Sequence, residues 1–589
     1  MTLPDDTSTG SLRENLDHEP RFLRFGTSGR RGEVIDLTQL EVYINVLAEL
    51  EYLKSLPASD GGIVQGDDFF FATDLRPSSC GFVPEQRGRG EIAQAVERAI
   101  RDAGLRPVHC GKIPSPALAF HALRQGKGSI MVTGSHIPFD RNGYKTNTSK
   151  GELLKKDEAP IQGVVDKIRQ RIYSQPFLDS AFDRSGLFKS GHCDLAPVTA
   201  EAATSYVRRF TDFFGPVRLE GKRIVVYQHS AVGRDLLVEI LEQLGAGVVT
   251  VGRSDVFIPI DTENIDESQL LEIKSLTDGV FKEHRRIDAV VSTDGDSDRP
   301  LILGVEKSDE SRLASFTLRF FGGDLVGMIV AEFLDADAVV VPISCNDAVD
   351  RGSLRAFLEP KTRIGSPHVI EGMERALRKG KRAVCGWEAN GGFLTGTDIR
   401  CDGRLLTALP TRDAVLPILG VLCRATQERA SLVELFGRLP GRFSRAALIR
   451  NFPRPVGAKI VERFSPPDGS IEEVVFQGGE ITLLDRQRGE LLTSEPLTRA
   501  LISIRDDLGG FFGTAQGFSR IARINWVDGV RMIFENGDVA HVRPSGNADE
   551  LRIYAVADTQ DRADVIARLG VAEPDGILRR LERSSSQRP

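Results

Sequence analysis

A chain of 589 residues is too long for one hydrophobic core, and at roughly 100–200 residues per domain it divides into about three to five. Its 41% hydrophobic and 27% charged content is ordinary for globular proteins, and a net charge of -7 argues against a general nucleic-acid binder, whose affinity comes largely from phosphate neutralisation. The seven cysteines (Cys80, Cys110, Cys193, Cys345, Cys385, Cys401, Cys423) form no CxxC pair, which disfavours a zinc site and suits reduced thiols in the cytoplasm.

Residues 1–20 are polar and acidic with no apolar run, so they read as a flexible lead-in and not a signal peptide. No stretch approaches 18 apolar residues, so no transmembrane helix is expected. Strand-like runs then alternate with helical spacing. FFFATDL near Phe69, SIMVTG near Ile130, KRIVVYQ near Val225, DAVVSTDG near Val290, AVVVPIS near Val339 and RAVCGW near Val384 read as buried strands. GEIAQAVERAIRDAG and SAVGRDLLVEILEQLGAG between them read as helices closing on glycine. This alternation predicts α/β layers. After about residue 440 the texture changes to hairpins, with turns at Asp528-Gly529 and Asn536-Gly537, then a last helix at RADVIARLG and a frayed tail. Three α/β units and a smaller α+β unit are therefore expected.

Three polar loops follow predicted strands: Thr133-Gly134-Ser135-His136, Asp294-Gly295-Asp296-Ser297-Asp298-Arg299 and Glu388-Ala389-Asn390-Gly391-Gly392. Ligands of α/β sheets bind beyond the carboxyl ends of strands. Asp294, Asp296 and Asp298 alternate, so a curled loop can converge three hard oxygens on one cation, and oxygen donors select Mg²⁺, Mn²⁺ or Ca²⁺ over zinc. An EF-hand is excluded, because its sixth and twelfth positions would be Arg299 and Val305. Ser135 on a tight loop can be a nucleophile or a plain turn serine, and GxSxG is absent. His136 reads better as a loop-stabilising donor than as a base. Phe25-Gly26-Thr27-Ser28-Gly29-Arg30-Arg31-Gly32 and Arg543-Pro544-Ser545-Gly546-Asn547 offer backbone N–H groups and guanidiniums to an anion. There is no GxxxxGK[ST], so no P-loop nucleotide site is expected.

Together these stretches resemble the α-D-phosphohexomutase superfamily: FGTSGRRG at 25–32, TGSHIPFDRNGYK at 133–145, DGDSDR at 294–299, EANGG at 388–392 and RPSGNADELR at 543–552, in the family's order. The resemblance implies three related α/β domains with mixed sheets plus a smaller α+β C-terminal domain around a central cleft. Their spans would be 20–195, 196–308, 309–440 and 441–585, with an insertion near 455–500. It also implies an intramolecular phosphotransferase that interconverts hexose 6-phosphate and hexose 1-phosphate through a bisphosphorylated sugar, mannose first and glucose second.

By the same resemblance Ser135 carries the phosphoryl group. Asp294, Asp296 and Asp298 hold one Mg²⁺ per chain, with an oxygen on Ser135 as a further ligand. Arg31 and Lys145 lie near the reacting phosphate, and Lys145 is the first choice for proton transfer. His136 and His368 are further catalytic candidates. Thr27, Ser28, Arg299, Glu388, Asn390, Arg543, Ser545, Gly546, Asn547 and Arg552 fall on substrate-binding positions. A sugar bisphosphate would be the activator and sugar phosphates the only partners, with no nucleic acid or membrane, for a cytoplasmic monomer or weak dimer. The chain departs from the family in reading T-G-S-H-I-P for T-A-S-H-N-P, Ser297 for glycine, Asn390 for serine and Asn547-Ala548 for threonine-glutamate. A metal-dependent sugar phosphatase and a non-catalytic sugar-phosphate-binding protein are the readings from other classes.

Overall fold

The computed structural model describes residues 10–26, 28–263, 265–308, 315–546 and 549–586. The chain forms two compact units: the residues up to Phe321 with Asn390–Val433, and Gly322–Ala389 with the residues from Glu434 on.

The first sheet, in the first unit, holds β1 (Arg24–Phe25), β2 (Arg30–Glu33), β3 (Asp68–Thr73), β4 (Arg106–Lys112), β5 (Ser129–Val132), β6 (Arg141–Thr148) and β7 (Gly151–Glu152). Its order is β4-β3-β5-β6-β2-β1, with β7 paired to β6. β3, β4 and β5 run parallel, and β6 turns back antiparallel to β5. The second sheet, also in the first unit, holds β8 (Arg223–His229), β9 (Gly247–Arg253), β10 (Ala289–Thr293), β11 (Pro300–Ser308) and β12 (Ser315–Phe320), in the order β9-β8-β10-β11-β12. Again three strands are parallel and the next, β11, returns antiparallel to β10. The two sheets thus share one strand order, and in both the antiparallel return follows a fully buried strand: Ser-Ile-Met-Val in β5 and Ala-Val-Val-Ser-Thr in β10. Apolar runs of this kind suit strands covered on both faces.

In the second unit β13 (Ala338–Val340) runs parallel to β14 (Val384–Trp387). In the first unit β15 (Phe393–Thr395) pairs antiparallel with β16 (Leu409–Asp413). The second unit ends in an eight-stranded sheet of β17 (Phe443–Arg450), β18 (Glu473–Gln477), β19 (Glu480–Leu484), β20 (Glu490–Leu491), β21 (Ile521–Asn525), β22 (Val530–Phe534), β23 (Val539–Pro544) and β24 (Glu550–Ala557). All its pairings are antiparallel, and Gly529 and Gly537 take the positive φ that the two expected turns require.

Three expectations need correction. From residue 10 on the lead-in is anchored: Ser11 caps the short helix Leu12–Asn15, and Leu12 is fully buried. The tail is helical over Ile577–Ser586, with Ile577, Leu578 and Leu581 in the core. The 455–500 stretch holds more than hairpins. Helices Arg454–Arg463 and Glu495–Gly509 bring Ile460 and Leu501 into the same core, and β18 and β19 extend the last sheet.

Candidate active site

Ser135 and the three aspartates lie in the loops after β5 and β10, at equivalent corners of two sheets with the same strand order. Ser135 is buried, its backbone N–H donates to Thr133 Oγ1 at 2.8 Å, and its hydroxyl donates to Asp294 Oδ2 at 2.6 Å. Two residues 159 apart in sequence therefore share one hydrogen bond.

Asp294, Asp296 and Asp298 are buried, with one oxygen of each lying within 4.8 Å of the others. Asp294 Oδ1 accepts the backbone N–H groups of Asp298 and Arg299, while its Oδ2 takes the Ser135 hydroxyl. Asp296 Oδ2 accepts from Ser115 Oγ at 2.5 Å and Lys145 Nζ at 2.7 Å. Asp298 Oδ2 accepts from Lys145 Nζ at 2.6 Å and from Arg412 at 2.9 and 3.1 Å. Asp296 Oδ1 and Asp298 Oδ1 remain buried with no hydrogen-bond partner. Buried carboxylate oxygens left unpaired are costly unless a cation faces them, so this donor set fits a hard divalent ion. The three carboxylates could hold a metal.

Burial works to raise all three carboxyl groups. In Asp294 the neighbouring Asp296 and Asp298 reinforce it, and the group sits well above the ordinary range. In Asp296 the Lys145 ammonium and the Ser115 hydroxyl overcome burial and hold the group well below it. Asp298 is likewise lowered, chiefly by Arg412. Burial pushes the Arg31 guanidinium down to about 10, and the nearby Arg76 and Arg412 push the same way. Arg299 lies 3.6 Å from Asp298 and 3.9 Å from Asp294, and its Nη1 donates to His136 Nδ1 at 2.8 Å. Arginine is donor-only, so Nδ1 of His136 is an acceptor and the ring proton belongs on Nε2. Burial and Arg299 hold that imidazole neutral, far below its usual range.

The remaining candidates divide between the units. Ser28 and Asn390 belong to the first. The Ser28 hydroxyl faces Glu152 at 3.5 Å, and Asn390 Oδ1 accepts from the Gly392 backbone at 3.0 Å. Glu388, His368, Arg543, Ser545, Gly546 and Arg552 belong to the second. Glu388 is buried at the end of β14, and His368 opens the helix Ser366–Arg378 beside Glu371. Arg543 pairs with Asp528 at 2.9 Å and sits opposite Arg552 across β23 and β24, and Arg552 itself pairs with Glu550. Ser545 is buried, and its N–H donates to Glu550 O. Thr27 and Asn547 lie outside the described residues.

Sequence reasoning missed Ser115, Arg76 and Arg412. Ser115 and Arg76 each follow a parallel strand (β4 and β3) at the loop edge, so the strand-end rule could have flagged them. Arg412 has no such signal.

Residues 86–172 match the profile described as phosphoglucomutase/phosphomannomutase, alpha/beta/alpha domain I, and residues 322–443 that of domain III. A phosphomannomutase of Sinorhizobium fredii (strain NBRC 101917 / NGR234) is 34% identical over 93% of this chain and 98% of its own length. One of Salmonella muenchen is 34% identical over 92% and 93%. A phosphoglucomutase/phosphomannomutase family protein of Burkholderia thailandensis shares the fold, with a TM-score of 0.57 and 16% identity over 95% of this chain and 97% of that one. Among the described residues no helix is long and apolar enough to cross a membrane.

Proposed function

The chain belongs to the phosphoglucomutase/phosphomannomutase family and is a hexose-phosphate mutase, and on that premise we propose that it interconverts hexose 6-phosphate and hexose 1-phosphate, mannose first, by way of phosphorylated Ser135 and a sugar bisphosphate. The observation that carries this reading is the 2.6 Å hydrogen bond from the Ser135 hydroxyl to Asp294, in a site where two further carboxylate oxygens are buried without a hydrogen bond. The names of the two relatives support mannose over glucose.

In the forward half-reaction the free sugar hydroxyl oxygen attacks phosphorus and the P–Oγ bond of Ser135 breaks. The hydroxyl proton passes by way of Lys145 to the departing Oγ. After the sugar bisphosphate turns over, its other phosphoryl group returns to Oγ by the reverse route. Lys145 suits the relay because its ammonium is already lodged beside the transfer point, between Asp296 and Asp298, and a guanidinium cannot give up its proton. His136 has its one acceptor nitrogen occupied by Arg299, so it fixes that arginine and moves no proton.

A sugar bisphosphate carries about four negative charges near neutral pH. Arg31, Lys145 and Arg299 oppose them at the transferring end. Arg543, Ser545, Gly546 and Arg552 are assigned to the other phosphate, and Glu388 and Asn390 to the sugar hydroxyls. One Mg²⁺ held by Asp294, Asp296 and Asp298 would neutralise the developing charge on the transferring oxygens. Phosphoryl transfer needs alignment and charge more than covalent activation, which suits a site built from fixed ion pairs. The cysteines described in the structure are all free, which supports a reducing compartment such as the cytoplasm.

The deciding experiment incubates the protein with Mg²⁺, mannose 1-phosphate or glucose 1-phosphate, and a trace of the matching bisphosphate. Isomer formation, faster with mannose, and a phosphate-mass adduct on the Ser135 peptide are expected. Free phosphate without isomer would overturn the reading in favour of a phosphatase. Arg543→Ala should raise KM with little change in kcat.

A further inference from the structure

We propose that Arg412 sets the charge of the metal site, so that a divalent cation binds well only together with a phosphoryl group. The proposal rests on Asp294, Asp296 and Asp298 being the metal ligands. Arg412 lies on β16, in none of the sequence motifs. Its stem passes Gly392, where a Cβ would stand 2.5 Å from Cδ and 2.7 Å from Cγ, so the bare glycine is what lets the arginine through. Its Nε and Nη2 then close on Asp298 Oδ2 at 3.1 and 2.9 Å.

The charge count gives the consequence. Three carboxylates face Lys145, on Asp296 and Asp298, Arg299, on Asp294 and Asp298, and Arg412, on Asp298. Three cationic side chains thus stand on the three carboxyl groups before any cation arrives, and Arg31 adds a further positive charge near Asp296. Arg76 is matched by its own partner, Asp74. A divalent ion entering alone would face all four of these cationic side chains, and a dianionic phosphoryl group arriving with it offsets two of their charges.

Arg412 acts by charge more than by aim. Lys145 holds the same Asp298 Oδ2 at 2.6 Å, and the Asp298 N–H is fixed to Asp294 Oδ1 at 3.1 Å, so Asp298 stays in place without the arginine. Removing Arg412 leaves the two unpaired carboxylate oxygens where they are and takes away one repelling charge. A divalent ion feels that charge twice over, and burial leaves little screening.

The test uses the full chain stripped of metal, Mn²⁺ alone as the probe, and electron paramagnetic resonance of free Mn²⁺ as the readout. Arg412→Met should bind Mn²⁺ at least about tenfold more tightly than the unmodified chain, within the 5–150-fold range of ordinary site–site coupling. Arg412→Lys, which keeps the charge, should stay within about threefold of the unmodified chain. Unchanged or weaker Mn²⁺ binding in a folded Arg412→Met protein overturns the proposal. If that variant fails to fold, Gly392→Ala, which drives the stem aside, should tighten Mn²⁺ binding in the same way, and an unchanged affinity there overturns it equally. Mn²⁺ binding needs no turnover, so a protein without mutase activity would overturn the proposed function and leave this result to be judged separately. Failure of every form to bind Mn²⁺ would overturn the ligand assignment and this proposal with it.

Discussion

The serine loop and the metal loop occupy the same corner of two sheets with one strand order, yet they are held by opposite means. Both contain a serine in the left-handed region, Ser135 at φ 57° and Ser297 at φ 58°, a conformation that costs about 1–2 kcal/mol for a residue with a Cβ. The serine loop is braced from outside. Arg76 Nη1 donates to the carbonyls of Pro138 and Arg141 at 2.7 Å each, and Nη2 to those of Ser135, at 3.0 Å, and Ile137. The metal loop carries bracing acceptors on its own side chains. Asp294 Oδ1 accepts two of its own loop N–H groups, and Ser297 Oγ accepts the Gly233 N–H at 2.9 Å. If Ser135 gains and loses a phosphoryl group, as proposed, its side chain cannot also support its loop, and the support comes from a neighbour. Carboxylates that stay put can give one oxygen to the fold and keep the other for a ligand.

The largest expected effect removes the reactive group and leaves the external brace. Ser135→Ala keeps the Arg76 contacts, which fall on backbone carbonyls, so the melting temperature should move by no more than about 2 °C. Turnover should fall by roughly four orders of magnitude or more in the coupled assay, as for other lost nucleophiles. Full activity in that variant would refute the serine role.

Breaking the brace itself comes next. Arg76→Met strips four carbonyls of their donor and leaves the buried Asp74 carboxylate without its counter-charge, the situation that costs about 3–5 kcal/mol when a buried pair loses one partner. Urea unfolding should show that loss, and Mn²⁺ should still bind, because the four lost bonds fall on the serine loop and the strand after it. A loss below about 1 kcal/mol with normal turnover would show that the loop does not depend on the guanidinium. Gly134→Ala probes the same contact from the other side: its Cβ would lie 2.5 Å from the Arg76 guanidinium carbon, an overpacking expected to cost about 1–3 kcal/mol.

These contacts show where sequence reading stops. That Ser135, Lys145 and the three aspartates come together was legible from the order of the motifs that hold them. Gly134 was legible only as a departure from the family pattern; the packed guanidinium beside it gives the physical cause. Ser297 was noted where glycine is usual, and its positive φ explains the usual glycine. Arg412 was not legible, because nothing local to Pro-Thr-Arg-Asp says that β16 will aim a side chain past Gly392 at a carboxylate 114 residues earlier. The lead-in and tail were misread for a different reason: one or two apolar residues among many charges, Leu12 and Leu578 among them, are enough to dock a short helix but too few to set a periodic signal.

The metal loop's support also titrates. His229 Nε2 bonds the Thr293 carbonyl at 2.8 Å, just before Asp294. Burial pushes the imidazole down to about 4 despite that bond, with Arg234 adding to the shift. The folded state therefore favours neutral His229. Its contribution is complete above the unfolded pKa near 6.5 and is lost as pH falls from there through about 4, up to roughly 3 kcal/mol. His229→Gln should flatten the stability profile over that window relative to the unmodified chain, and parallel profiles would remove His229 from the account.

The finest test exchanges each left-handed serine for glycine. At position 135 the hydroxyl supports nothing in its own loop, so Ser135→Gly should be more stable than Ser135→Ala by about 1 kcal/mol, the strain that alanine retains and glycine sheds. At position 297 glycine sheds the same strain but strands the buried Gly233 N–H and removes the 2.8 Å bond between Ser297 Oγ and the Thr293 hydroxyl. An unsatisfied buried donor costs about 1–3 kcal/mol, which exceeds the strain relieved once the greater unfolded-state freedom of glycine is included. Ser297→Gly should therefore be less stable than the unmodified chain by about 1–2 kcal/mol in urea unfolding. If it proves as stable, the hydroxyl is not a brace, and the metal loop rests on Asp294 and its backbone contacts.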